Sequence, residues 1–362
     1  MIRVSNLSGN PRSIGQQHGE QVADLRPQIL SAIRIRLAEL NQAGTNESLG
    51  VKEVARVWEK YAASTLEMLL GMAEALDLNW EEFFTYTIAS FLSGSKKQAL
   101  QDNGCTTWAA NQKITCSGAP LLVKNRDHDP GHQPLQCLAR VQPEQGYPYL
   151  YLTSAGSPGV YSSGINDQGL AVADTYVPSK DIGPGIARYS LMMDLLEKFS
   201  SVQDATDYLY TLPHFGDGSV ILADARGELA VFEIAHSKQA VRKSSEGFLV
   251  STNHFSAQEL CTRWIDSDTP GLQGNSLERR RRVENALRSA GRPIDIAWCQ
   301  TMMAQHGNAL NAICRHSEID ANTVTISSII FLTEQKGLFV ANGLPCQQPF
   351  EWYQINDSVV EE

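Results

Sequence analysis

The chain has 362 residues, 42% hydrophobic and 19% charged, so it can bury one large or two smaller cores and is neither disordered nor fibrous. Thirty Lys+Arg against 40 Asp+Glu leave a formal net charge of −10, which disfavours nucleic acid or an anionic membrane as a general partner. The opening MIRVSNLSGNPRS lacks an apolar signal core, and no stretch approaches the roughly 18 uninterrupted apolar residues a membrane helix needs; a cytoplasmic protein is expected.

In chain order, apolar residues first recur at three- and four-residue spacing over Glu20–Leu40 (Leu25, Ile29, Ile33, Leu37) and Val51–Leu76 (Val54, Val57, Tyr61, Leu66, Leu70), which predicts two amphipathic helices. Asn79 with Glu82 three residues on reads as an N-cap opening a further helix through Phe83, Tyr86 and Phe91, with a stop at Ser93–Gly94. After the polar SGSKKQALQDNG the period changes near Gly104 to short β-rich runs: TTWAAN, APLLVKN, LQCLARV, YLYLTSAG and GLAVADTYV. Arg188–Leu212 returns to helical spacing. VILADA, ELAVFEIA and GFLVST read as strands, followed by helices over Ser276–Ala290 and Ile294–Met303 and the strands NTVTISSIIF and GLFVAN. Strands and helices therefore come in blocks, an α+β pattern of packed antiparallel sheets rather than a doubly wound parallel one.

Seven cysteines at irregular spacing argue for reduced thiols rather than a disulfide framework. No HExxH, paired CxxC, Walker or EF-hand pattern occurs, and the histidines show no ligand spacing, so no metal and no cofactor is expected. Cys314 and Cys346 read as packed thiols, and Trp108 and Trp264 as core aromatics.

Chemistry concentrates at three strand ends. Gly104-Cys105 opens the first β-run, Lys124-Asn125-Arg126-Asp127 closes the second, and Asn253-His254 closes GFLVST, so a thiol, a carboxylate and an amide can share one site. One reading from these residues is a papain-like thiol hydrolase in which His254 activates Cys105 and Asp127 orients the imidazole. Another is an inactive binding or scaffold protein.

Gly104-Cys105-Thr106-Thr107, Asn125-Arg126-Asp127, Ser251-Thr252-Asn253-His254-Phe255, Ser276-Leu277-Glu278-Arg279, Ile313-Cys314-Arg315-His316 and Gly343-Leu344-Pro345-Cys346 together carry a family resemblance. With the leader phrases Ser13–Gly19 and Leu70–Glu74, the ordered set resembles the isopenicillin N acyltransferase (acyl-CoA:6-aminopenicillanic acid acyltransferase) family of autoprocessing N-terminal-nucleophile (Ntn) cysteine hydrolases. The resemblance spans nearly the whole chain.

It implies an αββα four-layer sandwich with a helical N-terminal segment, residues 1–104, and a catalytic segment, residues 105–362, which form one globular unit after a cut between Gly104 and Cys105. It further implies that Cys105 is the nucleophile and its freed α-amine the base, that Asp127 holds the amine, that Asn253 donates to the oxyanion and that Arg279 shapes the site. Lys124, Asn125 and Thr175 are implied as substrate or oxyanion contacts; Thr175 departs from the Asn many relatives carry. The partner is a small N-acyl compound or an acyl thioester, acyl-CoA entering only as a candidate substrate. The two cleaved segments would stay associated.

Overall fold

The computed structural model describes residues 1–42, 47–92, 104–266, 273–291, 293–308, 311–318 and 323–356. A strand, β1 (Arg3–Gly9), precedes the helices α1 (Pro11–Gln21), α2 (Arg26–Gln42), α3 (Glu47–Tyr61), α4 (Ala63–Ala75), α5 (Trp80–Thr87) and α6 (Ala89–Leu92). Then come β2 (Thr106–Ala110), β3 (Leu121–His128), β4 (Gln136–Pro143), β5 (Tyr149–Ser154), β6 (Ser163–Asn166) and β7 (Ala171–Tyr176). Helices α7 (Arg188–Lys198) and α8 (Val202–Leu209) lead to β8 (Gly218–Ala223), β9 (Leu229–Ile234), β10 (Gln239–Lys243) and β11 (Phe248–Ser251). The chain ends with α9 (Asn275–Arg288), α10 (Ile296–Met303), β12 (Val324–Leu332), β13 (Gly337–Ala341) and β14 (Glu351–Gln354).

The strands form an eight-stranded sheet, ordered β1-β4-β5-β6-β7-β8-β9-β10, and a six-stranded sheet, ordered β11-β2-β3-β12-β13-β14. Both sheets carry apolar side chains on both faces, so each must be covered twice. Leu138, Leu150, Ile165 and Val231 of the first sheet meet Leu122, Ile329, Phe331 and Leu338 of the second in a core between the sheets. The outer face of the larger sheet packs against the N-terminal helices, α7 and α8 through Ile14, Trp58, Met72, Leu195 and Phe232. On the outer face of the smaller sheet Trp108, Val123 and Ile330 pack against Val283 of α9 and Met302 of α10. These layers make the αββα sandwich that the resemblance implies.

Local chemistry sets the element ends. Asn79 accepts from Glu82 N at 3.0 Å and opens α5 as its spacing predicts, while Asn10 caps α1 by accepting from Ser13 N at 3.0 Å with Pro11 next in the chain. The leader phrases mark a helix crossing: a Cβ on Gly15 would overlap Met68 O, and one on Gly71 would overlap Arg12 O, so α1 and α4 meet backbone to backbone. His18, fully buried, accepts from Gly156 N at 3.2 Å and joins that crossing to the loop after β5.

The structure corrects several boundaries. The single helix expected over Val51–Leu76 breaks at Ala62, whose ψ of 34° leaves the helical basin. Arg188–Leu212 divides into α7 and α8, with Ser201 capping the second by accepting from Asp204 N at 3.1 Å. The segment 1–104 is not purely helical, because β1 pairs in parallel with β4 from Arg3↔Cys137 to Gly9↔Pro143. The expected stop at Ser93–Gly94 lies outside the described residues. No helix among the described residues is long and apolar enough to cross a membrane.

Candidate active site

Cys105 stands immediately before β2, and that strand pairs with β3 through Thr106↔Asn125 and Thr107↔Lys124 and with β11 through Ser251↔Thr107. Three strand ends thus converge, as the sequence suggests. Cys105 is 8% exposed, with its Sγ 3.9 Å from Asp127 O. Burial pushes its thiol pKa up, Lys124 opposes this, and Asp127 and Asp174 reinforce it, so the group is a thiol and not a thiolate.

Arg279 ties the site together. From the first turns of α9 its Nη1 donates to Cys105 O at 2.7 Å and Thr106 Oγ1 at 3.0 Å, its Nη2 to Asn253 Oδ1 at 2.7 Å, and its Nε to Asn275 Oδ1 at 2.7 Å. Asn253, just beyond β11, donates in turn to Tyr176 O at 2.7 Å. One planar cation therefore fixes the start of β2, the end of β11 and the start of α9, which a flexible lysine ammonium would not do.

Asp127 is 1% exposed, and its Oδ1 accepts from Thr325 Oγ1 at 2.6 Å across the β3–β12 pairing. Its Oδ2 is buried and has no hydrogen-bond partner among the described residues. Burial raises the carboxyl pKa to about 6, against the opposing pull of Arg315, Arg279, the Thr325 bond and Lys124. Gly104 fits against this group: a Cβ there would overlap Arg315 Nη1 and lie 2.9 Å from Asp127 Oδ2. Arg315 is fully buried, and its backbone N–H donates to Thr325 Oγ1 at 2.9 Å. The sequence places Arg315 in the Ile313–His316 motif without a role, and its adjacency to Cys314 there is the signal that points to it.

Lys124 Nζ donates to Asp174 Oδ1 at 2.6 Å, Asp174 O at 2.7 Å and Ser162 O at 3.1 Å, so all three of its N–H groups are committed. Asp174 also takes Arg188 Nε at 3.1 Å, and Arg188 Nη1 reaches Asp217. Asn125 points to the outer face and donates to Met303 O and Ile313 O, both at 2.9 Å. Thr175 shares a 2.9 Å hydrogen bond with Ser251, joining the two sheets. Arg126, 3% exposed, reaches Ser154 Oγ at 2.9 Å and makes no ion pair among the described residues, which leaves a second buried cation near the thiol.

His254 belongs elsewhere. Its Nδ1 faces Ser276 Oγ at 2.7 Å and Thr252 Oγ1 at 3.2 Å, and burial with Arg280, Arg279 and Arg242 lowers its pKa to about 3. No hydrogen bond among the described residues joins it to Cys105 or Asp127, so the geometry gives the papain-like triad no support. The expectation of histidines without ligand grouping is also corrected: His306, Cys314, His316 and Cys346 gather with their ligand atoms within 4.8 Å of one another. They come from the loop after α10 and the loop after β13, so chain spacing conceals the group.

Residues 115–345 match the family model described as acyl-coenzyme A:6-aminopenicillanic acid acyl-transferase, well over half of the chain. The chain belongs to this acyl-transferase family. The matched span holds Asp127, Asn253, Arg279 and Arg315 and begins ten residues after Cys105. No curated protein matches the chain. Among solved structures, a mutant of conjugated bile acid hydrolase from Clostridium perfringens is similar over 70% of this chain and 99% of its own, at 15% identity and a TM-score of 0.47. Penicillin V acylase from Agrobacterium tumefaciens is similar over 69% of this chain and 86% of its own, at 18% identity and a TM-score of 0.48.

Proposed function

We propose that this acyl-transferase family member cuts itself between Gly104 and Cys105 and then uses Cys105 to move an acyl group from a small N-acyl amide or acyl thioester to water or an amine. The observation that carries the reading is the buried Asp127 Oδ2 beside Gly104, which has no hydrogen-bond partner among the described residues. A carboxylate oxygen without a donor at a buried position is destabilising unless something arrives to pair with it. The α-ammonium released by cleavage supplies that partner.

In the first step Cys105 Sγ attacks the Gly104 carbonyl carbon, the C–N bond breaks as the C–S bond forms, and the departing nitrogen takes up a proton. Water then opens the thioester, leaving the Gly104 carboxylate and a free thiol. The new amine, with an ordinary pKa of about 7.7–8.0, can accept the thiol proton, so one residue holds nucleophile and base. Asp127 would orient the amine, Arg126 would favour the thiolate, and the second amide N–H of Asn253 would face the oxyanion while Arg279 holds the side chain in place. Family membership supports acyl transfer as the reaction class.

Intact mass decides the first half. The wild-type chain is expected as pieces of 104 and 258 residues, the remainder of 362, and Cys105→Ala as one uncut, inactive chain. A permanently uncut wild type that hydrolyses N-acyl amides and loses that activity in His254→Ala would sink the proposal. A panel of N-acyl amines and acyl thioesters, offered with and without an amine acceptor, separates hydrolysis from transfer.

A further inference from the structure

Outside the proposed active site, four side chains converge in a way that ordinary hydrogen bonding does not explain. His316 Nε2 lies 3.1 Å from His306 Nε2, 3.3 Å from Cys346 Sγ and 3.6 Å from Cys314 Sγ, and the two sulfurs are 3.6 Å apart. A ring nitrogen carries either one proton or one in-plane lone pair, so it can satisfy one such neighbour and not three. All four ligand atoms instead lie within 4.8 Å of one another.

We infer that His306, Cys314, His316 and Cys346 form a tetrahedral binding site for a divalent cation of the zinc class. With zinc–sulfur bonds near 2.3 Å and zinc–nitrogen bonds near 2.0–2.1 Å, a regular tetrahedron has edges of about 3.8 Å between sulfurs, about 3.3 Å between nitrogens and about 3.6 Å between sulfur and nitrogen. The four distances above depart from these by no more than about 0.3 Å, and all ligand atoms lie within 4.8 Å of each other. Two thiolates and two imidazoles match a borderline-soft ion and disfavour calcium or magnesium, which take oxygen ligands. On binding, both thiol protons leave to solvent and both imidazoles stay neutral, so the dication and two thiolates form a centre with no net charge.

Four protein ligands close the coordination sphere, so the ion would brace the fold and leave no position for substrate. It would clamp the loop after α10 to the loop after β13, with Arg315 held between two of the ligands. The inference is independent of self-cleavage and of the acyl chemistry.

The test uses the full chain, purified in reductant, offered excess Zn2+ and desalted before metal analysis. One zinc per chain is expected, falling to background in Cys346→Ser and in His316→Ala and unchanged in Cys261→Ser, an exposed cysteine elsewhere. Substituting Co2+ should give the intense visible bands of a tetrahedral thiolate-bound ion, a readout that needs no variant to fold. Cys346 is exposed and should react with a thiol reagent in the metal-free chain but be protected by zinc, while exposed Cys116 and Cys261 react in both states. Retention of no zinc, equal retention in the ligand variants, or a Cys314–Cys346 disulfide that excludes metal under these conditions would overturn the site.

Discussion

Two carboxylates flank the interface of the sheets, Asp127 buried and Asp174 partly buried, and they are treated in opposite ways. Asp174 on β7 has both oxygens paired, one with Lys124 at 2.6 Å and the other with Arg188 at 3.1 Å. Those cations outweigh burial and hold its pKa below the ordinary value. Asp127 on β3 keeps one oxygen paired with Thr325 and one unpaired, and burial wins, lifting its pKa to about 6. The first arrangement is complete in itself and locks strands together. The second is incomplete in the uncut chain, and it borders the one peptide bond proposed for cleavage.

The largest effect should come from breaking the complete cluster. Asp174→Ala leaves the buried Lys124 ammonium without a counter-ion and Arg188 with Asp217 alone, and a loss of about 3–5 kcal/mol is expected in urea unfolding of the Cys105→Ala chain. If that loss stays under about 1 kcal/mol, the pairs are not what holds β3 to β7.

The pH dependence sharpens the contrast. Asp127 has a folded pKa of about 6 against an ordinary 3.8, so the stability linked to its protonation is full below 3.8 and disappears as pH rises through about 6. The swing is on the order of 3 kcal/mol. Asp174, with a depressed pKa, has the opposite sign: its contribution is full above 3.8 and is lost only as pH falls below that value. In the Cys105→Ala background, adding Asp127→Asn should flatten the fall in stability between pH 4 and pH 8. An unchanged slope would show that other groups cause it.

Thr325→Val removes the donor to Asp127 Oδ1 and the acceptor for Arg315 N while preserving shape. A loss of roughly 2–3 kcal/mol is expected, with the proposed self-cleavage slowed as Asp127 becomes harder to ionise; Thr325→Ser should restore both. The smallest effect belongs to Thr175→Val, which breaks the neutral bond to Ser251 between the sheets. About 1 kcal/mol of stability should be lost, with no shift in the pH profile of cleavage or activity. A shifted profile would return Thr175 to the reacting groups.

Much of this was legible in the sequence because it depends on strand ends. Periodicity places Cys105, Asp127 and Asn253 at the tips of apolar runs, and the motif order adds Arg279. What periodicity does not show is which face a side chain takes. Asn125 and Lys124 are neighbours on β3, yet Asn125 turns outward to α10 while Lys124 reaches toward β7. Short or edge strands also escape it: β1 has the polar sequence RVSNLSG and β6 only four residues. Such strands are held by their neighbours more than by their own propensity. The ligand group at His306, Cys314, His316 and Cys346 was hidden for a related reason, since loop geometry and not spacing brings it together.

The parallel pairing of β1 with β4 bears on how long a processed molecule would last. Seven residues of the first segment pair with seven of the eight residues of β4 from Arg3↔Cys137 to Gly9↔Pro143. Severing the chain at Gly104 would turn an intramolecular contact into one that dilution can reverse. Departure of the smaller piece would bare both the unpaired edge of β4 and the part of the large sheet's apolar outer face that the N-terminal helices cover, a template for association with other chains. The shelf life of the cut protein would then be set by a dissociation rate, and its chief hazard on storage would be aggregation following loss of the 104-residue piece.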